Sequence, residues 1–86
     1  MRGQIQDLST SGVRLRVESW DGIGDLAGSR VGIELHLEGP GTEWLYLRGC
    51  VVRLSAAFLT IVIAFENTPT DFAQIVDREG RDSVVH

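Results

Sequence analysis

Apolar and polar residues alternate with a period of two along much of this chain. Residues 13–17 place valine and leucine at every second position with arginine between them, and residues 31–37 repeat the pattern. The intervening residues 19–30 are rich in glycine, aspartate and serine, which is typical of a loop. Alternating segments bounded by turn residues predict an all-β antiparallel fold with one apolar face directed at a core.

The rest of the chain adds three strands and one helix to this prediction. Strands are expected at residues 3–7, 44–54 and 58–65, and the last is apolar almost throughout, as in a strand covered on both faces. Thr68 and Pro69 then form a helix start, and apolar residues follow at helical spacing. We expect a C-terminal α-helix from about Pro69 to Glu79 that packs Phe72 and Val76 against the sheet. Residues 81–86 are expected to fray.

Length and charge limit the classes of function. The 86 residues predict a single domain, residues 1–86, with a formal net charge of −4 and eight basic residues that are all arginine. An acidic chain argues against a nucleic-acid polymer as the partner, because non-specific binding depends on neutralised phosphates. A small phosphate ligand needs only a few well-placed guanidinium groups. The single cysteine, Cys50, rules out an internal disulfide and is expected to be a small core residue.

Several other activities find no support in the sequence. No apolar segment is long enough to cross a bilayer and no signal-peptide pattern is present, so we expect no membrane insertion and a cytoplasmic location. The two histidines lack a metal-ligand constellation, and Ser9 and Ser11 lack a nearby histidine, so neither a metal site nor enzymatic activity is expected. Trp44 and Tyr46 are suited to base stacking, but we expect them to fill a core or a helix-covered surface.

One motif lies between the first two predicted strands. Residues 7–12 read Asp-Leu-Ser-Thr-Ser-Gly, and this resembles the Asp-x-Ser-x-x-Gly signature of PilZ domains, the bacterial receptor modules for cyclic di-GMP. The strand order, the late helix, the strand Leu47–Arg53 and the Ile63-Ala64-Phe65 ending extend the resemblance over residues 3 to 80. It implies a small antiparallel β-barrel with one C-terminal α-helix, and a non-enzymatic cyclic di-GMP signalling module that needs no other cofactor.

The resemblance also implies a ligand site. Asp7 would accept hydrogen bonds from a guanine, Ser9 would bond base or phosphate, and Gly12 would let the backbone approach the ligand. The family's upstream Arg-x-x-x-Arg motif is absent, since Arg2 is the only basic residue before Asp7. Arg14, together with Arg16 or Arg2, is the candidate substitute. The structural alternative is a self-bonded Asp-x-Ser turn in which Gly12 supplies a positive φ.

The absent upstream segment also has a structural consequence. The family's first strand would be missing, so the barrel is expected to be open at one edge, and the chain to form a homo-oligomer or to borrow a strand from a protein partner there. The alternative function is a degenerate PilZ-type interaction adaptor that binds no nucleotide. An unrelated small-barrel structural domain is the third possibility.

Overall fold

The described part of the chain forms a closed barrel of six antiparallel strands. The computed structural model describes residues 2–37, 43–73 and 80–85. The hydrogen-bonded order around the barrel is β1-β2-β5-β4-β3-β6, with β6 pairing back onto β1. The all-β antiparallel prediction is therefore confirmed. The strands are β1 (Arg2–Leu8), β2 (Gly12–Val17), β3 (Arg30–Leu37), β4 (Glu43–Ser55), β5 (Thr60–Phe65) and β6 (Gly80–Val85).

The alternating residues form the core, as the sequence pattern predicted. Successive side chains of a strand point to opposite faces, so every second residue of a barrel strand faces the interior. In β2 the three alternating apolar side chains are at most 2 % exposed, and the arginines between them lie outside. β5 contributes Ile61 and Ile63 in the same way. The buried apolar side chains of the strands are Val13, Leu15, Val17, Val31, Ile33, Leu35, Leu47, Val51, Ile61, Ile63 and Val85.

The long loop between β2 and β3 is part of the core rather than a loose connection. Ile23 is 2 % exposed, and Trp20 and Leu26 pack partly buried against the same cluster. A short 3-10 turn, Gly24–Leu26, shapes the middle of the loop. Gly22 and Gly28 flank it with φ of 74° and 78°, a left-handed conformation that residues with a Cβ rarely adopt. The glycine-rich composition therefore serves the chain reversals that bring Ile23 inside.

The apolar segment before β5 differs from its prediction. The strand was expected to begin at Phe58, but residues 56–59 form a turn and β5 begins at Thr60. Leu59 has a φ of 54°, which breaks the extended conformation at that point. Val62 and Ala64, on the outer face of β5, are half-buried, so the outer face is only partly covered. Phe58 lies outside the core with 74 % of its surface exposed.

Only the beginning of the predicted C-terminal helix lies within the described residues. No α-helix is among the described elements: helical backbone is reached at Phe72 and Ala73, and residues 74–79, including Val76, lie outside the described part. The expected packing of Phe72 is confirmed, because this side chain is 2 % exposed within the core cluster. Its ring meets Phe65 edge-on, with ring centroids 5.4 Å apart.

The two expectations for the end of the chain and for the barrel edge are both wrong. Residues 80–85 do not fray but form β6, which pairs with β1 on one side and with β3 on the other. The edge expected to remain open is thereby filled from within the chain, and the argument for a homo-oligomer or strand-donating protein partner at that edge no longer holds. Val85 faces the interior at 5 % exposure. The described residues also contain no helix with the length and apolarity needed to cross a membrane.

A matched pair of valines tests the role of β6. Val85→Ala removes two buried methyl groups, and we expect it to lower the free energy of unfolding by about 1–3 kcal/mol. Val52→Ala, at a residue of β4 with 59 % exposure, is expected to change it by less than about 0.5 kcal/mol. Urea denaturation followed by circular dichroism measures both. Equal, negligible effects would mean that the C-terminal residues do not belong to the barrel.

Candidate ligand-binding site

A β-bulge in β1 determines which polar side chains reach the outer surface. Ile5 pairs with Leu15, and Asp7 pairs with Arg14, so Gln6 is an extra residue without an opposite partner. In a regular strand Ile5 and Leu8 would lie on opposite faces, because they are three residues apart. The bulge lets both pack against the core cluster. It therefore turns Gln6 and Asp7 outward together, and both are exposed.

Asp7 and Arg14 are cross-strand neighbours on this outer face. Their Cα atoms are register partners, and both side chains are exposed. Neither the Asp7 carboxylate nor the Arg14 guanidinium has a hydrogen-bond or ion-pair partner among the described residues. An acceptor and a bidentate donor thus lie side by side with their bonding capacity unused. Two of the four predicted site residues are brought together in this way.

Ser9 has a different role from Asp7. Its hydroxyl oxygen accepts hydrogen bonds from the backbone N–H groups of Ser11 and Gly12, at 3.3 and 3.2 Å, and lies 3.1 Å from the Ser11 hydroxyl. The Ser9 backbone N–H donates to the Gly12 carbonyl at 2.9 Å, closing the β1–β2 hairpin. Ser9 therefore forms the self-bonded turn that the structural alternative described, but without the Asp7 carboxylate.

Gly12 is required by close packing between strands. A Cβ at this position would lie 2.5 Å from the Ile63 carbonyl oxygen of β5, nearer than real side chains approach. Its φ is not positive, so the turn-conformation explanation does not apply to it. The Ser11 carbonyl accepts from the Phe65 backbone N–H at 2.9 Å and fixes the hairpin to the end of β5. The glycine thus joins two strands, and a role in ligand approach is not needed to explain it.

A groove of about 440 Å³ runs over the outer surface of β2, which is within the usual size range of small-molecule sites. Arg14 and Arg16 project into it from the strand, the bulge residue Gln6 contributes from one side, and the β4–β5 turn forms the other side. The two guanidinium groups lie on one face of β2, and their Cα atoms are separated by about 6.7 Å of extended chain. The lining residues are Gln6, Arg14, Arg16, Ala57, Phe58, Leu59 and Thr60.

Sequence reasoning identified part of this groove and missed the rest. The sequence predicts Arg14 from its distance to the motif, with Arg16 as its companion on the same face of β2. Gln6 was missed because an alternating pattern does not mark a bulge, and Phe58 was assigned to a strand. The alternation itself contained a usable signal for Phe58, since it falls on the same face as Thr60, opposite the buried Ile61 and Ile63.

A second group of aromatic residues lies on the outer face of β3 and β4. Trp44 and Tyr46 are 53 % and 54 % exposed, so the expectation that they fill a core or lie under a helix is wrong for the described residues. Trp44 stacks on its cross-strand neighbour His36, with ring centroids 4.6 Å apart and an interplanar angle of 9°. The Tyr46 hydroxyl lies over Gly32, in the space that a Cβ would occupy there.

Neither the remaining polar side chains nor the comparisons with known proteins point to a different site or function. Cys50 is half-buried with its thiol 3.5 Å from the Gly28 carbonyl oxygen. Within residues 2–37, 43–73 and 80–85, no three histidine, cysteine, aspartate or glutamate side chains are grouped as a metal site requires. No protein-family model, curated protein or solved structure matches this chain. The PilZ resemblance accordingly remains a resemblance carried by its own residues.

Substituting Gly12 tests its packing role. Gly12→Ala places a methyl group against the Ile63 carbonyl, and we expect it to lower the free energy of unfolding by about 1–3 kcal/mol. Gly24→Ala is the control, since its Cβ would have no neighbour nearer than 3.9 Å, and the expected change is below about 0.5 kcal/mol. Thermal and urea unfolding give the comparison. A Gly12→Ala protein as stable as the control would remove the steric explanation.

Proposed function

We propose that this chain is a non-enzymatic cyclic di-GMP-binding module whose ligand lies on the outer face of β1 and β2. The observation that carries the proposal is that Asp7 and Arg14 are cross-strand neighbours next to the bulge in β1. Arg14 also lines the groove, together with Arg16. These three side chains are exposed and unpaired among the described residues. Asp7, in contrast to the two arginines, lies outside the lining of the groove as the cross-strand neighbour of Arg14. Charged groups without protein partners at such a surface are available to a ligand of complementary chemistry.

The chemistry of the ligand matches these groups. Guanine presents N7 and O6 acceptors that arginine can bond in a bidentate manner, and it presents N–H donors that a carboxylate accepts. Each phosphate of cyclic di-GMP is an anion for which a guanidinium is the preferred partner. Arg14 and Arg16 then supply from β2 the positive charge that the resemblance assigns to the two upstream arginines. Asp7 accepts from the guanine edge.

Ser9 and Gly12 take positioning roles in this proposal. The Ser9 hydroxyl stabilises the hairpin through its hydrogen bonds to Ser11 and Gly12, and Gly12 permits the close contact with β5. Both residues thereby fix the register in which Asp7 faces Arg14. The resemblance implies that Ser9 and Gly12 touch the ligand. In this proposal they instead position Asp7 and Arg14, which do.

The second candidate function is the interaction adaptor without nucleotide. It is favoured by the exposed aromatic group of Trp44 and Tyr46, because aromatic side chains are enriched at protein interfaces. It is also favoured by the internal use of the Ser9 hydroxyl. Because β6 fills the barrel edge, such an adaptor would bind its partner through the face of the sheet and not through a strand edge.

Titration with cyclic di-GMP tests the proposed function. We expect calorimetry to detect binding, and backbone NMR shifts to concentrate at Gln6 to Arg16. Arg14→Gln and Asp7→Ala each remove a charge-assisted hydrogen bond, so affinity should fall about tenfold to a hundredfold. Arg48→Gln, at an exposed arginine on β4, serves as the control and should bind as the parent protein does.

The titration also separates the two candidates. Flat calorimetric and NMR titrations at millimolar cyclic di-GMP would exclude the receptor function and leave the adaptor. Binding that Arg14→Gln and Arg48→Gln weaken equally would place the ligand elsewhere on the molecule. Because all three substituted side chains are exposed, the NMR spectra of the three variants should show the same fold as that of the parent protein.

A further inference from the structure

Phe58 is an aromatic side chain held out into solvent at the side of the groove. It is 74 % exposed, more than Trp44 or Tyr46, and it lines the same groove as the two arginines. Single exposed apolar residues are common on protein surfaces and require no explanation alone. Here the residue lies beside unpaired guanidinium groups, and aromatic rings combined with arginines are what bases and phosphates bind.

The turn that carries Phe58 is fixed by the structure around it. The following residue, Leu59, adopts a φ of 54°, which is unusual for a residue with a branched side chain. Its carbonyl accepts a hydrogen bond of 2.8 Å from the Val17 backbone N–H at the end of β2, and its side chain packs against the core. Strained backbone of this kind persists where surrounding contacts enforce it, and is concentrated at ligand sites.

Arg16 lies directly beneath this turn. Its register partner on β5 is Thr60, the second residue after Phe58, and its register partner on β1 is Gln4. Arg16 and Arg14 share the outer face of β2, and neither forms an ion pair among the described residues, although Asp7 is the cross-strand neighbour of Arg14. Two like charges held side by side attract a small anion, which would reduce their mutual repulsion.

We propose that Phe58 and Arg16 form the base-stacking and phosphate subsite for a guanine nucleotide. The phenyl ring stacks on the purine, and the Arg16 guanidinium bonds the adjacent phosphate, with the Gln6 amide at the opposite side of the groove. This inference rests on the proposed function for the identity of the ligand, and it adds the β4–β5 turn to the Asp7–Arg14 pair. The turn would thus contribute the stacking surface that the motif residues lack.

The test compares matched aromatic and arginine variants with two probes, cyclic di-GMP and 5′-GMP. Phe58→Ala should weaken binding of cyclic di-GMP about 5-fold to 150-fold, as loss of one base stack predicts. Phe58→Tyr should retain affinity within about threefold, because the ring is kept. Arg16→Gln should weaken binding about tenfold or more and reduce its dependence on salt. Tyr46→Ala and Arg48→Gln are the controls for an exposed aromatic and an exposed arginine.

Each result supports or overturns the subsite. Nuclear Overhauser contacts from the guanine H8 proton to the Phe58 ring, with the losses above, support it. Cyclic di-GMP binding that is equal in Phe58→Ala and Tyr46→Ala overturns it and leaves the proposed function standing. Binding of 5′-GMP alone, lost in Phe58→Ala, supports the subsite and overturns cyclic di-GMP as the ligand. No binding of either probe by the folded parent protein overturns both.

Discussion

The barrel must receive apolar side chains from all of its strands, and this packing requirement controls which polar groups reach the surface. In β1 the apolar residues Ile5 and Leu8 are spaced so that a regular strand would direct one of them outward. The bulge at Gln6 resolves that conflict, and as a result Asp7 faces the same side as Arg14. The candidate site is therefore a by-product of filling the core, and the serine-glycine hairpin holds it in register.

Local patterns predicted the parts of the fold that depend on local physics. The alternation in β2 and β3 predicted the core residues correctly, because in a half-buried strand every second side chain faces the core. The same reasoning failed for β6. Residues 80–83 are Gly-Arg-Asp-Ser, which carry no apolar alternation, and their strand conformation comes from pairing with β1 and β3 on both sides. Such long-range pairing overrides the weak local preference of the segment.

The site was predictable to the same degree. The motif marks Asp7 and the alternation of β2 places Arg14 outside, but regular alternation would put Asp7 on the inward face with Ile5. The bulge at Gln6 is what brings Asp7 to the outer face beside Arg14. Gln6 requires knowledge of the bulge. Alternation places Phe58 on the outer face, but its position in the β4–β5 turn depends on the exact residue at which β5 begins. That residue is determined by the Leu59 backbone and its hydrogen bond to Val17, which no pattern of side-chain polarity encodes. The geometry of the β4–β5 turn is therefore the part of the site that the sequence pattern predicts least well.

The pairing of β1 with β6 has a consequence for how this barrel connects to other polypeptide. Arg2 is the register partner of Val84, so the two outermost strands run antiparallel and the described chain enters and leaves the barrel at neighbouring points. Inserting the domain into a surface loop of a host protein would therefore need only short connections. A pull on both connections would load the β1–β6 ladder at the end where Arg2 and Val84 pair, and would open it one hydrogen bond at a time towards the part of β1 that carries Asp7.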